Sequence, residues 1–389
     1  MNIAIYNLHL TTLGGGERRT AALAAHLAKS HHVTLFGDTI IDPARLREIF
    51  SIDLSGIEIV PLRDKDHLAE IRARAPDLFI NNSHSSGLPC PVPLGIYMCM
   101  FPETKKIDLA SYRVITANSH FTARWIARRW GYASEVVYSA CQPMGPASVK
   151  QNIILNVGRF FADWKENHHK RQDVLLEAFK MMVDEGLKGW SLHLVGNVGE
   201  AEEDREFFEA LRRSARDYPV RILPALDGEA LRETYRQASI YWHATGFGTS
   251  AAKQPSKQEH FGMTIIEAMS AGCVPFAFNS GGPRETITSG VSGYLWHDLA
   301  DLRRLTRALI EDRRALEAMS AAAVVASAQY NVEAFLSRMD AIITRLATGE
   351  DGSRHGAIAG RIARTILPRL QYVMHRLGRI VRRSRILRR

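Results

Sequence analysis

The sequence predicts an α/β protein made of two successive parallel-sheet units. Short apolar strands alternate with helical stretches through most of the 389 residues, as in a parallel sheet covered by helices on both faces. Several strands run into glycine-rich or polar loops, the ends at which open α/β sheets bind ligands. The breaker-rich segment Pro143-Met144-Gly145-Pro146-Ala147-Ser148 interrupts the alternation, and a new strand starts just beyond it.

In the first unit, Ile3-Ala4-Ile5-Tyr6 is the opening strand, and Gly14-Gly15-Gly16 leads into a helix from Glu17 to Lys29. Such a loop offers backbone N–H groups to a phosphate, with Gly15 and Gly16 the candidates. It lacks the last glycine of the dinucleotide fingerprint. Strands follow at 33–36, 57–60 and 78–80. Asp64-Lys65-Asp66 has the spacing of a metal-binding D-x-D, but it precedes a helical run, and an acidic helix start accounts for it. His84 sits in the polar loop Asn81-Asn82-Ser83-His84-Ser85-Ser86-Gly87; it either orients a donor sugar or acceptor hydroxyl, or is a surface histidine. After a buried strand at 97–101, Ser119 or Thr122 caps a helix over 121–130. Arg124, Arg128 and Arg129 on that helix face either an anionic acceptor or solvent.

The second unit opens with the strand Ile153-Ile154-Leu155-Asn156-Val157, then Gly158-Arg159, a loop from Phe160 to His169, and a helical run after Lys170. His168 and His169 are sequence neighbours, a poor arrangement for sharing one metal ion. The strand 190–195 ends at Gly196, where a base or ribose can lie, and further strands are expected at 220–223 and 241–244.

The richest stretch is Glu259-His260-Phe261-Gly262-Met263-Thr264-Ile265-Ile266-Glu267. A helix beginning near Met263 points free N–H groups at whatever faces its first turn, and those groups favour a phosphate. Gly262 lets a ligand approach the backbone. Glu259 flanks the spot from the loop and Glu267 from inside the helix. Carboxylates beside a phosphate site suit a ligand that also carries hydroxyls, as a sugar nucleotide does. Thr264-x-x-Glu267 also fits a capping box.

Taken over its full length, this stretch resembles a known signature. Glu259-x7-Glu267 with its internal Phe-Gly, then Glu-Ala-Met-Ser-Ala-Gly, a proline-containing strand and Gly281-Gly282-Pro283-x-Glu285, resembles the donor site of the retaining GT-B glycosyltransferases of family 4, the group 1 glycosyltransferases. Asn118-Ser119-His120-Phe121-Thr122-Ala123-Arg124-Trp125 resembles another segment of that family. The group nearest in character includes the α-1,2-mannosyltransferase of lipid-linked oligosaccharide assembly.

The resemblance implies two facing Rossmann-like domains. Residues 1–147 would bind acceptor and 148–328 the nucleotide sugar, and 329–347 would be a helix crossing back to the first domain; beyond the resemblance, 348–389 reads from its own residues as a basic amphipathic tail. It implies retaining transfer of a hexose, with GDP-mannose favoured over a UDP-sugar, to a glycan or lipid-linked acceptor, without a catalytic metal or resident cofactor. Arg159 and Lys170 would grip the diphosphate; two fixed cations stabilise the charge that develops on that leaving group. The loop leaves Lys165 as the alternative to Lys170. Glu259 would contact donor sugar hydroxyls and Glu267 the ribose. Phe261, Gly262, Met263 and Thr264 would supply amides, Gly15 or Gly16 would close on the diphosphate, Gly158 and Gly196 would line the donor site, and His84 would serve the reacting groups. A non-catalytic sugar-nucleotide-binding partner of a polysaccharide assembly complex, or an epimerase or phosphorylase of the same fold, are the rival readings.

Composition narrows the partners. Eleven of the 50 Lys and Arg residues lie in 354–389, which has no Asp or Glu, leaving 39 against 41 acidic residues elsewhere. The basicity therefore belongs to a tail, and the body has no groove charge suited to nucleic acid. In the tail, apolar residues recur every three to four positions between arginines, interrupted by Pro368, a pattern suited to an anionic membrane surface. A disordered tail or a partner-binding helix is the alternative. The four cysteines show no paired spacing, and the N-terminus shows no leader, so the expectation is a cytoplasmic protein held at the inner face of the cell membrane.

Overall fold

The computed structural model describes residues 1–12, 14–39, 42–146, 149–163 and 169–350. Lys165, His168 and the basic tail lie outside the described residues. The first unit comprises β1 (Asn2–Tyr6), α1 (Gly15–Leu27), β2 (His32–Gly37), α2 (Pro43–Phe50), β3 (Glu58–Pro61), α3 (His67–Arg72), β4 (Leu78–Asn81), β5 (Leu94–Cys99), β6 (Val114–Ala117), α4 (His120–Trp130) and β7 (Glu135–Val136). The second comprises β8 (Gln151–Val157), α5 (Gln172–Asp184), β9 (Ser191–Gly196), α6 (Glu202–Ala215), β10 (Val220–Pro224), α7 (Gly228–Gln237), β11 (Ala238–His243), α8 (Met263–Ser270), β12 (Val274–Phe278), α9 (Pro283–Thr286), β13 (Tyr294–Trp296), α10 (Leu299–Glu311) and α11 (Arg313–Ser327). The described chain closes with α12 (Val332–Thr348).

Both sheets are parallel, in the orders β3-β2-β1-β4-β5-β6-β7 and β10-β9-β8-β11-β12-β13. Each reverses direction of growth beside its first strand, between β1 and β4 in one and between β8 and β11 in the other. Such a switch point splays the strand-end loops apart and opens a crevice for ligands. The strands are apolar on both faces because helices cover both: β4 and β6 are buried at every residue, as is β11. Trp242, Phe276 and Trp296 fill the second core, each large buried side chain contributing about 2–3 kcal/mol.

Helix starts follow the capping residues. Ser119 caps α4 by accepting the Thr122 amide. Asp66, in the Asp64-Lys65-Asp66 segment, caps α3 by accepting from Leu68 and Ala69. Helix α12 returns to the first unit: Phe335, Met339, Ile342, Ile343 and Leu346 share one apolar core with Ile3, Ile5 and Leu23. His26 on α1 meets Asp340 at 2.8 Å, and Arg345 pairs with Glu135. Among the described residues no helix is long and apolar enough to cross a membrane.

Candidate functional site

The starts of α1 and α8, one from each unit, meet. A Cβ placed on Gly15 would stand 2.7 Å from Met263 Sδ, and one on Gly16 would be 3.1 Å from Met100 Sδ. Two helix N-termini thus converge on one edge of the cleft, each with first-turn amides that the helix itself leaves unused. The glycine loop is held by buried polar groups. Glu17 accepts the Gly14 amide at 3.0 Å, and Asn82 accepts from Arg19 while donating to Gly16 O. Asn82, expected in a ligand-facing loop, therefore braces α1. His84 from the same loop is exposed and lies 3.4 Å from the Glu103 carboxylate.

The Glu259 loop is pressed into place by backbone. Gly282 N donates to Glu259 O at 2.8 Å. A side chain on Gly281 would strike the Glu259 carbonyl, and one on Gly282 would come 2.5 Å from Phe261 Cα. This is why two successive glycines stand there. Below them Gln258, fully buried, donates to Thr249 Oγ1 at 2.7 Å and accepts from the Ser280 hydroxyl.

The Glu259 carboxylate is held at one oxygen by two donors. Lys170 Nζ lies 2.7 Å and His243 Nε2 3.1 Å from Oε2. Lys170 gets there by lying across Gly158, where a Cβ would stand 2.7 Å from its Cγ. Gly196 in turn packs under the Gly158 carbonyl, leaving no room for a side chain. Gln172 ties the same turn by donating to Gly158 O and Arg159 O at 3.1 and 3.2 Å. Gly158 and Gly196 thus shape the strand-end turn that aims Lys170. Arg159 is exposed, with its guanidinium over the Phe161 ring at 4.7 Å.

Thr264 and Glu267 do not form a capping box. The N-cap of α8 is Gly262, at φ 96°, with no side-chain cap, a conformation glycine adopts without strain. Thr264 Oγ1 accepts from the Tyr241 hydroxyl at 2.8 Å and Glu267 from the Tyr235 hydroxyl at 3.1 Å. Burial pushes the Glu267 carboxyl up, while the Tyr235 hydrogen bond and the charge of Arg18 pull the other way. Among the described residues no three His, Cys, Asp or Glu side chains gather as a metal site.

The first unit grips this loop too. Ser119 donates to His260 O at 2.6 Å, and the His260 ring stacks on Phe101 with centroids 3.8 Å apart. Phe261 stacks on Tyr138. Glu285 accepts from the His120 and Phe121 amides at 2.8 and 2.6 Å, so a carboxylate of the second unit occupies the N-terminus of a helix of the first.

The structure therefore brings Lys170, Glu259, Phe261, Gly262, Met263, Thr264, Glu267, Gly15 and Gly16 to one region. His243, Tyr235, Gln258 and Gln172 belong to it as well and were not expected. For His243 the available signal was its place as the last residue of a strand that opens into a glycine-rich loop.

Comparisons with known proteins bear on the family and the fold. Residues 144–325 match the family described as Glycosyl transferases group 1. A GDP-Man:Man(3)GlcNAc(2)-PP-Dol alpha-1,2-mannosyltransferase of Dictyostelium discoideum is 26% identical over 211 residues, 49% of this chain and 39% of that protein. The mouse (Mus musculus) protein of the same name is 26% identical over 223 residues, 53% of this chain and 42% of its own length. The chain thus spans about two fifths of these relatives. Sucrose synthase 5 of Arabidopsis thaliana is 61% identical over 41 residues, 10% of this chain and 5% of that protein. Among solved structures, Anabaena HepE in complex with UDP superposes with a TM-score of 0.68 at 16% identity, covering 88% of this chain and all of that one. Sucrose-phosphate synthase from Thermosynechococcus elongatus gives 0.68 at 16%, covering 90% of this chain and all of that one. The likeness establishes the fold: two parallel-sheet Rossmann-like domains in the GT-B arrangement.

Proposed function

With residues 144–325 matching the group 1 glycosyl transferases and the described residues folded in the GT-B manner, we propose that this protein transfers a hexosyl group from a nucleotide diphosphate sugar to an acceptor hydroxyl. The observation that carries the reading is the Glu259 carboxylate held between Lys170 and His243 beside the uncapped start of α8. A carboxylate there accepts hydroxyl hydrogen bonds from the sugar, while the α8 amides and the edge at Gly15 and Gly16 receive the diphosphate. An ammonium has three protons, so Lys170 can serve Glu259 and a phosphate oxygen together. Arg159 swings from its exposed position over Phe161 to add a second cation. Glu267, steadied by Tyr235, takes the ribose, and His84 lies on the acceptor side.

The reaction is written as transfer with retention. The acceptor hydroxyl attacks on the face from which the diphosphate departs, and the departing phosphate takes the hydroxyl proton. Charge gathers on the diphosphate, where Arg159, Lys170 and the α8 amides meet it. No step calls on a metal or a resident cofactor, and chelator leaves turnover unchanged in this scheme. GDP-mannose is the proposed donor, supported by the mannosyltransferase relatives, and a glycan or lipid-linked glycan is the proposed acceptor. A UDP-sugar is the second reading, favoured by the structural likeness to HepE bound to UDP. The tail at 354–389 is proposed to hold the enzyme on an anionic membrane face.

The deciding experiment incubates purified protein with GDP-mannose, UDP-glucose and other sugar nucleotides, following thermal stabilisation and release of free nucleotide. A donor at about 100 times its Kd adds about 2.7 kcal/mol of stability. Glu259→Ala is expected to keep the fold and lose transfer. Wild-type turnover in that variant, or no stabilisation by any sugar nucleotide, overturns the reading. Removal of 354–389 is expected to release the protein from anionic vesicles.

A further inference from the structure

His243 ends β11 and is 1% exposed. Among the described residues its ring makes one hydrogen bond, Nε2 to Glu259 Oε2 at 3.1 Å. A carboxylate can only accept, so Nε2 carries the proton. The other ring nitrogen, Nδ1, is buried and has no hydrogen-bond partner among the described residues. A second proton on Nδ1 would have no acceptor and would add a positive charge close to the Lys170 ammonium. The surroundings therefore favour one state, a neutral imidazole with Nε2–H aimed at Glu259.

Lys170 reaches the same carboxylate oxygen from α5's side of the site, 2.7 Å away. Donors from different elements restrain the plane of a carboxylate more tightly than one donor does. Lys170 comes from a loop and has a flexible stem. His243 comes from the end of a central strand, on the rigid part of the scaffold.

We infer that His243 is a positioning residue: its neutral Nε2–H, acting with Lys170, helps set the plane of the Glu259 carboxylate so that it meets the donor sugar hydroxyls. The inference rests on the transferase reading above. His243 touches neither sugar nor diphosphate, and it acts through Glu259. Loss of the donor therefore affects sugar-dependent quantities and spares affinity for the nucleotide alone.

The test compares wild type, H243F, H243Q and E259Q for kcat, for KM of the sugar nucleotide and for Kd of the sugar-free nucleoside diphosphate. H243F is expected to lower kcat about 10- to 100-fold, the scale of a misplaced reacting partner, with the nucleoside diphosphate Kd within about twofold of wild type. H243Q, which restores an N–H donor, is expected to recover most of that loss. Wild-type kcat in H243F, equal damage in H243Q and H243F, or parallel loss of nucleoside diphosphate affinity would overturn the inference. Should H243F fail to fold, nitrogen-15 spectra of histidine in the wild-type protein decide. The neutral Nε2–H tautomer, shifted by E259Q, supports it, and an Nδ1–H or doubly protonated ring overturns it. If E259Q itself transfers like wild type, the transferase site is misplaced. If E259Q is dead and H243F is unimpaired, only the role of His243 falls.

Discussion

The Ser119 hydroxyl in the first domain donates to the backbone carbonyl of His260 in the second, at 2.6 Å. The same hydroxyl accepts the Thr122 amide as the cap of α4. One side chain thus starts a helix and also anchors the residue next to Glu259. Replacing it removes both functions. Ser119→Ala is expected to cost about 1 kcal/mol through the lost cap and a further ~1 kcal/mol through the lost buried hydrogen bond. In thermal melts this should read as a drop of several °C. Turnover should fall more than the affinity for nucleotide, because the first domain then holds the Glu259 loop less firmly. An unchanged melt would show that the seam carries no stability.

Lys170 and Glu259 are a mostly buried pair, their side chains 20% and 12% exposed. Removing one partner leaves the other charged and poorly solvated, the costly case for buried ions. Lys170→Met is expected to destabilise the protein by about 1–3 kcal/mol, the residual exposure keeping it below the fully buried range. Adding Glu259→Gln should recover part of that loss without restoring transfer. Urea titrations of the two single variants and the double variant measure the coupling.

Gly281 sits at φ 66° with the space for its side chain taken by the Glu259 carbonyl. Gly281→Ala must push the loop off its seat, an overpacking cost of about 1–3 kcal/mol, to which strain at positive φ adds. The expected outcome is lower stability together with loss of transfer, whereas Gly228→Ala, where a Cβ meets open space, should leave transfer unchanged. Equal activity in both variants would remove the packing argument.

Two buried imidazoles contribute to the loss of stability in acid. Burial pushes His193 down to about 4 and lowers His243 below the usual imidazole range, the hydrogen bond to Glu259 opposing that fall. In both, the unfolded state takes up a proton that the folded state refuses. Stability is therefore full above the unfolded value of about 6.5 and declines as pH drops below it. For His193 the decline continues to about 4. Melting temperature should be flat above pH 7 and fall by several °C between pH 6.5 and 5. His193→Gln is expected to flatten part of that slope, as followed by thermal melts across the range.

Much of this was legible in residues alone because the relevant constraints are local. Alternation of strand and helix follows from short-range patterning, and the apolar runs that predicted β1, β4 and β12 are buried where they were expected. The fate of Thr264 and Glu267 was open, since a four-residue pattern fits a capping box as well as a ligand site. Their partners, Tyr241 and Tyr235, come from β11 and α7, and no periodicity announces a contact that depends on tertiary packing. The same holds for Glu285, whose carboxylate meets amides 164 and 165 positions away. His243 escaped notice because a histidine at the end of an apolar strand looks the same whether it packs or donates. Asn82, in the same strand-end loop as His84, bonds instead to Arg19 and Gly16, contacts that local polarity does not reveal.

Because Phe335, Met339 and Ile342 of α12 complete the core built on Ile3, Ile5 and Leu23, the first domain is assembled from both ends of the described chain. A fragment stopping at the interdomain linker would lack one wall of its own interior. During synthesis, that domain cannot reach its final packing until α12 has emerged, so the usual N-terminal-first order of domain folding is suspended here. The first domain should therefore be the last part of the molecule to become resistant to protease on a translating ribosome.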